Sequence, residues 1–282
     1  MATDIEVSAY SIWEDLQKIR SNNPLVFNIT NSVVQDFTAN ALLALGASPI
    51  MSDAIDETEE LVAASNALNI NIGTPNPHGN EAMAKAIKVA RELGRPVALD
   101  PVAVGATKLR RTLIEVLLRS GTPTIVRGNL AEISVFAGMQ WGGKGVDSGA
   151  DLQGPGEIVR KAAQNLGCSV VGTGKIDYAS DGVRVFSIAN GHPLMTRVTG
   201  MGCVATSIVA AFLAVQPIPL IATVHAIAFI GIAGEWAAEH AHTEGPGTFR
   251  VRFLDSFDRL DANDLEARAK IKVEAAVGRS SA

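Results

Sequence analysis

The sequence predicts an α/β protein in three layers, with a mostly parallel central sheet and helices on both of its faces. Two observations carry this. Short apolar runs suited to buried strands alternate with amphipathic stretches at helical spacing along most of the 282 residues. The composition is 47% hydrophobic but only 5% aromatic and 19% charged, which suits closely packed helices over a sheet buried on both faces.

Leu25–Ile29 is an apolar run that stops at Thr30-Asn31, two good helix N-caps. Val34, Phe37, Thr38, Ala41, Leu42 and Leu45 then recur at helical spacing, and Gly46 closes that helix. Ser48–Met51 is a second short strand. Residues 56–67 open on acidic residues and carry Leu61, Ala64, Ser65 and Leu68 on one helical face. Residues 67–72 alternate apolar residues with asparagine and end at the turn cluster Gly73-Thr74-Pro75-Asn76-Pro77. A helix is expected over 78–93 with Gly94 as its stop, and a buried strand over 97–99 that ends at Asp100-Pro101. Helix 107–120, strand 124–126, helix 130–137, helix 154–166 and strand 169–172 continue the alternation. Around Asp181-Gly182, residues 177–179 and 183–188 read as an antiparallel hairpin. Residues 142–156 are expected to be a flexible loop. Residues 204–233 are strongly apolar, but Gln216-Pro217-Ile218-Pro219 divides them into pieces shorter than the roughly 20 residues a membrane span needs. Two buried helices are the expectation, their small apolar residues suited to an oligomer interface.

The net charge of −5, without any basic block, argues against a nucleic-acid partner. Cys168 and Cys203 make no disulfide framework, and the chain does not open on a basic segment followed by an apolar one, so a cytoplasmic protein is expected.

Ligands of such sheets bind outside the C-terminal strand ends. The residues following the strands are therefore the candidates: Asn28, Thr30, Asn31, Met51, Asp53, Gly73, Thr74, Asp100, Arg127, Asn129, Glu132, Thr173 and Gly174. The most informative segment is Val198-Thr199-Gly200-Met201-Gly202-Cys203, a glycine-rich turn that opens into an apolar helix. Its backbone N–H groups would converge on an anion, with the helix N-terminus adding positive potential. A thiol in that first turn would have its pKa pulled downward. The same residues also read as a tight turn before a core helix, with Cys203 as a small buried hydrophobe. Asp100, held extended by Pro101, and Glu132, one turn beyond Asn129, form a carboxylate pair suited to Mg²⁺ and nucleotide phosphates. Read blandly, Asp100 is a turn residue and Glu132 a charge complementing a helix dipole. Arg127 offers a planar donor fork for phosphate, or a surface salt bridge. His78 suits a helix start, His225 a core or interface position, and His240 with His242 lacks a third ligand for zinc.

Five stretches together carry a resemblance. They are Asn28-Ile29-Thr30-Asn31 with residues 40–51, Leu99-Asp100-Pro101-Val102, Arg127-Gly128-Asn129-Leu130-Ala131-Glu132-Ile133, Gly172-Thr173-Gly174-Lys175-Ile176-Asp177-Tyr178, and Thr199-Gly200-Met201-Gly202-Cys203. In this order the chain resembles the hydroxyethylthiazole kinases, the thiamine-salvage branch of the ribokinase-like superfamily, from about residue 12 to about residue 260. The resemblance implies a ribokinase-like α/β/α fold over residues 1–265; residues 266–282, at the end of a stretch from 264 that is charged and then rich in Ser, Gly and Ala, are expected to be a frayed or disordered tail. It implies a homotrimer with active sites at the subunit interfaces, and transfer of the ATP γ-phosphate to the primary hydroxyl of 4-methyl-5-(2-hydroxyethyl)thiazole. By that resemblance Asn28, Met51 and Gly200 would contact the thiazole, Arg127 and Thr173 would contact ATP, and Asp100 and Glu132 would organise Mg²⁺. Gly200, Gly202 and Cys203 would form the catalytic anion hole.

Most of the superfamily has Asp where this chain has Cys203; the thiazole kinases resemble this chain in having Cys. Met201 departs from the Thr usual at its position. Cys203 and the segment from Asn28 to Met51 argue against a pyrimidine or sugar kinase and against a nicotinamide-hydrate dehydratase. Asp100, Arg127, Glu132 and the glycine turn argue against a non-catalytic thiazole-binding protein.

Overall fold

The alternation of strands and helices is realised in a computed structural model, which describes residues 7–140, 154–241 and 243–274. A helix α1 (Ala9–Asn22) leads into β1 (Leu25–Ile29), α2 (Gln35–Leu45), β2 (Ser48–Met51), α3 (Thr58–Ala64) and β3 (Ala67–Asn71). Then follow α4 (Pro77–Leu93), β4 (Val97–Asp100), α5 (Lys108–Ser120), β5 (Ile125–Asn129) and α6 (Leu130–Phe136). Beyond the undescribed residues 141–153 come α7 (Pro155–Leu166), β6 (Ser169–Thr173) and the hairpin β7 (Asp177–Ser180) with β8 (Val185–Ile188). A 3₁₀ turn (Pro193–Arg197) precedes α8 (Met201–Leu213), α9 (Pro219–Ala241), α10 (Pro246–Arg259), α11 (Ala262–Arg268) and β9 (Ile271–Val273).

The strands form one sheet in the order β2-β1-β3-β4-β5-β6-β7-β8-β9, parallel through β6 and antiparallel beyond it. Alternate strand positions feed two separate cores. Val26, Ala67, Ala98, Ile125 and Val171 pack under α1, α2, α8, α9 and α10. Their neighbours Phe27, Leu68, Leu99, Val126 and Val170 pack with the layer made by α3 to α7. This is the three-layer α/β/α class expected. α9 is long and apolar enough to cross a membrane, but the helix is buried, its apolar surface spent on the core.

Two helices outside the expected set, α1 and α10, cover the same core; Ser8 caps the first and Pro246 opens the second. The C-terminal residues differ from the expected tail as well. Ile271–Val273 pairs antiparallel with β8, because β8 would otherwise be an open edge and its partner needs only three extended residues. Most of the loop expected at 142–156, the end of the expected tail (275–282) and His242 lie outside the described residues.

Candidate active site

The strand ends on the α8 side of the sheet are polar, a consequence of the two-residue period. Asn28 follows Val26 by two, Asn69 and Asn71 follow Ala67, Asp100 follows Ala98, Arg127 follows Ile125 and Thr173 follows Val171, so all share the face that α8 covers. α8 answers with polar or small residues one turn apart, Gly202 with Thr206 and Cys203 with Ser207.

These side chains form a buried network. Asn31 Nδ2 donates to Cys203 Sγ (3.3 Å) and to Asn71 Oδ1 (2.8 Å). Asn71 Nδ2 donates to Asp100 Oδ2 (2.8 Å), which also accepts from Thr206 Oγ1 (2.9 Å). β1 and β3, which deliver Asn31 and Asn71, are the neighbours at which the strand order reverses, the place where open α/β sheets bind ligands. Asp100 is only 1% exposed; burial, Arg127 pulling down and Glu132 pushing up leave its carboxyl raised to about 7.

The thiol behaves oppositely to the sequence expectation. Burial, with the Asp100 charge adding to it, pushes Cys203 up to about 11, and hydrogen bonds from Asn71 and Asn31 and the charge of Arg127 only partly offset this. A helix N-terminus lowers a thiol's pKa where water can still solvate it, and desolvation is the larger effect here.

Gly200 is needed for two reasons. Its φ of +86° is left-handed, and a Cβ there would stand 2.5 Å from Val34 Cγ1. No side chain caps α8, and the first backbone bond at this end is Val204 N to Gly200 O, so the amides of Met201, Gly202 and Cys203 are unspent within the helix. Arg127 lies against this turn: a Cβ on Gly202 would stand 2.7 Å from Arg127 Nη1. Arg127 Nη2 donates to Thr173 Oγ1 (2.7 Å), while its Nε is buried without a partner. Both residues line a cavity of about 740 Å³ together with Gly202, Ala205, Ile227 and Gly231. Asp177 lines it too, its carboxyl raised to about 6 by burial against the Gly174 N–H bond and the Arg127 charge. Asp177 is not among the site residues expected from sequence, because a strand start carries no sign of what it faces.

The remaining expectations divide. Met51 pairs in register with Asn28 on the edge strand β2 and is half-buried. Asn28 does not offer its amide to the mouth of the sheet. Its Nδ2 donates to Val26 O (2.8 Å), and its Oδ1 accepts from Ser207 Oγ (2.7 Å) and Asn69 Nδ2 (3.0 Å), so it ties β1 and β3 to α8. Glu132 is also engaged by backbone. Its Oε1 accepts from Ala103 N (2.7 Å) and its Oε2 from Asn129 N (2.8 Å), and Asn129 returns a bond to Glu132 N, completing a capping box. The carboxylate thus holds Ala103, whose φ of +54° is strained for a residue with a side chain, in the loop after Asp100. Among the described residues no three His, Cys, Asp or Glu side chains are placed to enclose a metal ion. His225 is a core histidine, its Nδ1 2.7 Å from Asp15 Oδ2 and its Nε2 3.1 Å from Ser11 Oγ. Asn71 and Thr206, central to the network, were not among the sequence candidates; the asparagine alternation in β3 was the available signal.

A family model, the hydroxyethylthiazole kinase family, matches residues 16–263. The chain belongs to the hydroxyethylthiazole kinase family. It is 47% identical to a hydroxyethylthiazole kinase of Granulibacter bethesdensis over 90% of this chain and 92% of that one. It is 44% identical to one from Pyrococcus furiosus, over 93% and 98%. The solved structure of the hydroxyethylthiazole kinase from Pyrococcus horikoshii OT3 superposes with a TM-score of 0.86 at 41% identity, covering 94% of this chain and 99% of that one. A Staphylococcus aureus pyridoxal kinase in complex with AMP-PCP and pyridoxal shares the fold, with a TM-score of 0.55 at 16% identity over 76% and 88%. Membership makes the chain a phosphotransferase, and it accords with a ribokinase-like reading of the three layers. The glycine turn, the Arg127–Thr173 pair and the Asp100 network are thus features of a hydroxyethylthiazole kinase family member.

Proposed function

We propose that the protein transfers the γ-phosphoryl group of ATP to the primary hydroxyl of 4-methyl-5-(2-hydroxyethyl)thiazole. The observation that carries this is the pairing of Arg127 and Thr173 with the uncapped N-terminus of α8 at one end of the 740 Å³ cavity. A nucleotide lying in that cavity would bring its terminal phosphate to three free amides and a guanidinium. The Cys203 side of the turn, with Asn31 across the switch point, would face the acceptor, and the left-handed Gly200 sets the turn beside which its hydroxyl would lie.

In the reaction the acceptor oxygen forms its bond to the γ-phosphorus while the bond to the β–γ bridging oxygen breaks, releasing ADP and the hydroxyl proton. Such a transition state is loose, so positioning and electrostatics dominate and a strong base is not required. A thiol near pKa 11 is almost wholly protonated at neutral pH, which supports a positioning part for Cys203 rather than proton abstraction. The amides of residues 201–203 and Arg127 hold the moving phosphoryl group.

The residues suit Mg²⁺ held mainly by phosphates and water. Asp100 is the carboxylate turned toward the site, and its repulsion by Glu132 is what a cation would relieve. Glu132 would act one step back, fixing the loop that follows Asp100. Mg²⁺ when bound supplies charge neutralisation on the phosphates. Met51 lies on the edge strand β2, open on one side, which supports an acceptor pocket closed by a neighbouring subunit in a homotrimer; dilution to monomer should then abolish activity without unfolding the chain. Two free cysteines support a cytoplasmic location.

The test is ADP release from MgATP with hydroxyethylthiazole, hydroxymethylpyrimidine and ribose as separate acceptors. Turnover confined to the thiazole alcohol is the expected result. Turnover with the pyrimidine or the sugar instead would overturn the substrate, and nucleotide binding without turnover on any acceptor would overturn the reaction.

A further inference from the structure

Residues 189–192 connect β8 to the 3₁₀ turn and line the same cavity as Arg127, yet this segment has no regular structure of its own. What fixes it is a set of contacts centred on the Asn190 side chain. Asn190 is buried, and its amide is spent on the C-terminal segment and on α9. Its Oδ1 accepts from Lys270 N (2.9 Å), and its Nδ2 donates to Arg268 O (2.8 Å) and to Glu235 Oε1 (3.2 Å). The same Glu235 oxygen accepts from Gly191 N (3.1 Å) and from Lys270 Nζ (3.0 Å), and Ala189 N donates to Lys270 O (2.9 Å). On the other side the segment rests directly on α9: a Cβ on Gly231 would stand 2.6 Å from Asn190 Cβ and 2.9 Å from its carbonyl carbon. The cavity wall is thus clamped between a glycine of α9 and the residues that lead into β9.

We propose that Asn190 is a positioning residue for the nucleotide, coupling the 268–270 segment at the start of β9 to the cavity wall and thereby setting nucleotide affinity. This rests on the reading that the 740 Å³ cavity holds the nucleotide. The polar atoms of the Asn190 side chain are satisfied by the protein, so it acts through the 189–192 backbone. A wall of irregular backbone contributes binding only if its geometry is fixed before the ligand arrives, and an unclamped wall spends part of the binding energy on its own ordering. Replacing Asn190 leaves the Lys270 N–H and the Arg268 C=O without their partner and frees the 189–192 segment to shift. Residues 269–273, expected from sequence to be part of a frayed tail, thereby bear on the binding site.

The experiment measures the dissociation constant of ATP by calorimetry, together with KM for MgATP, KM for the acceptor and kcat, in Asn190→Ala, Glu235→Ala and Arg127→Lys. Asn190→Ala should weaken ATP binding about tenfold, the loss of one to two buried hydrogen bonds. Acceptor KM and kcat should stay within about twofold, because the acceptor side of the α8 turn is untouched. Glu235→Ala should weaken ATP binding in the same sense but less, and because Glu235 is less buried than Asn190 it stays informative if Asn190→Ala does not fold. Wild-type ATP affinity in Glu235→Ala, or in a folded Asn190→Ala, while Arg127→Lys binds ATP weakly, would overturn the clamp and leave the nucleotide site standing. Unchanged ATP affinity in all three would overturn the placement of the nucleotide itself. An equal loss in acceptor KM and in ATP affinity would mark Asn190 as merely structural and also overturn the proposal.

Discussion

Asp100→Asn should make the protein more stable, and more so the higher the pH. Asp100 is fully buried, and its carboxyl is raised from 3.8 to about 7, first by burial, with Arg127 opposing and Glu132 reinforcing the shift. A group whose folded-state pKa is raised favours folding while it keeps its proton, and that advantage is lost as pH rises through the folded value. Between about pH 4 and pH 7 the folded chain holds a proton that the unfolded chain has released, so wild-type stability falls across that window. A shift of about 3 units at about 1.4 kcal/mol each gives roughly 4 kcal/mol when both states are ionised. The same linkage leaves about 2 kcal/mol already lost at pH 5. Asparagine has nearly the shape of the acid, and its Oδ1 can accept from Asn71 Nδ2 and Thr206 Oγ1 as the Asp100 Oδ2 does. Its stability carries no such loss.

The assay is urea unfolding followed by tryptophan fluorescence at half-unit steps from pH 5 to pH 8.5, for both chains without Mg²⁺. The gap in favour of Asp100→Asn should widen by about 2–3 kcal/mol over that range. MgATP should then narrow the gap at high pH, since a cation favours the charged form of the wild-type carboxyl. Turnover should move the other way and fall steeply in the variant if the group that costs stability organises Mg²⁺, as proposed. Parallel stability curves, with a gap that does not change with pH, would refute the reasoning: Asp100 would then be ionised throughout at no cost, and the network would be solvating it fully.

Cys203→Ala should retain measurable turnover and Cys203→Asp should remain active, as read from initial rates at saturating MgATP; complete loss in Cys203→Ala with substrates still bound would mean the thiol takes the proton. The wild-type rate should show no limb assignable to the thiol below about pH 10, given a value pushed up to about 11. Gly202→Ala should raise KM for MgATP by at least tenfold with the fold intact, since its Cβ would stand 2.7 Å from Arg127 Nη1 and displace the guanidinium; an unchanged KM would show that Arg127 does not hold the phosphates.

Much of this site was legible in the sequence, because the fold converts two periodicities into one surface. Strand residues two apart put Asn28, Asp100, Arg127 and Thr173 on one face, and glycines before an apolar helix put free amides above it. What sequence could not supply was the direction in which a polar group spends its bonds. Asn28 and Glu132 stand where ligand-facing residues stand, yet Asn28 spends its amide on backbone and neighbouring side chains, and each Glu132 oxygen already accepts a backbone N–H. Asn71 and Thr206 look like interior positions of a strand and a core helix, and both reach Asp100. Cys203 makes the same point in energy. The helix N-terminus, which sequence reveals, favours the thiolate, whereas the desolvation that overrides it depends on how tightly α2, α8 and the sheet close around the sulfur. The polar face of the sheet is therefore two layers deep. The residues at strand ends define where chemistry happens, and partners one step back, set by packing rather than by spacing, decide which of them remain free to do it.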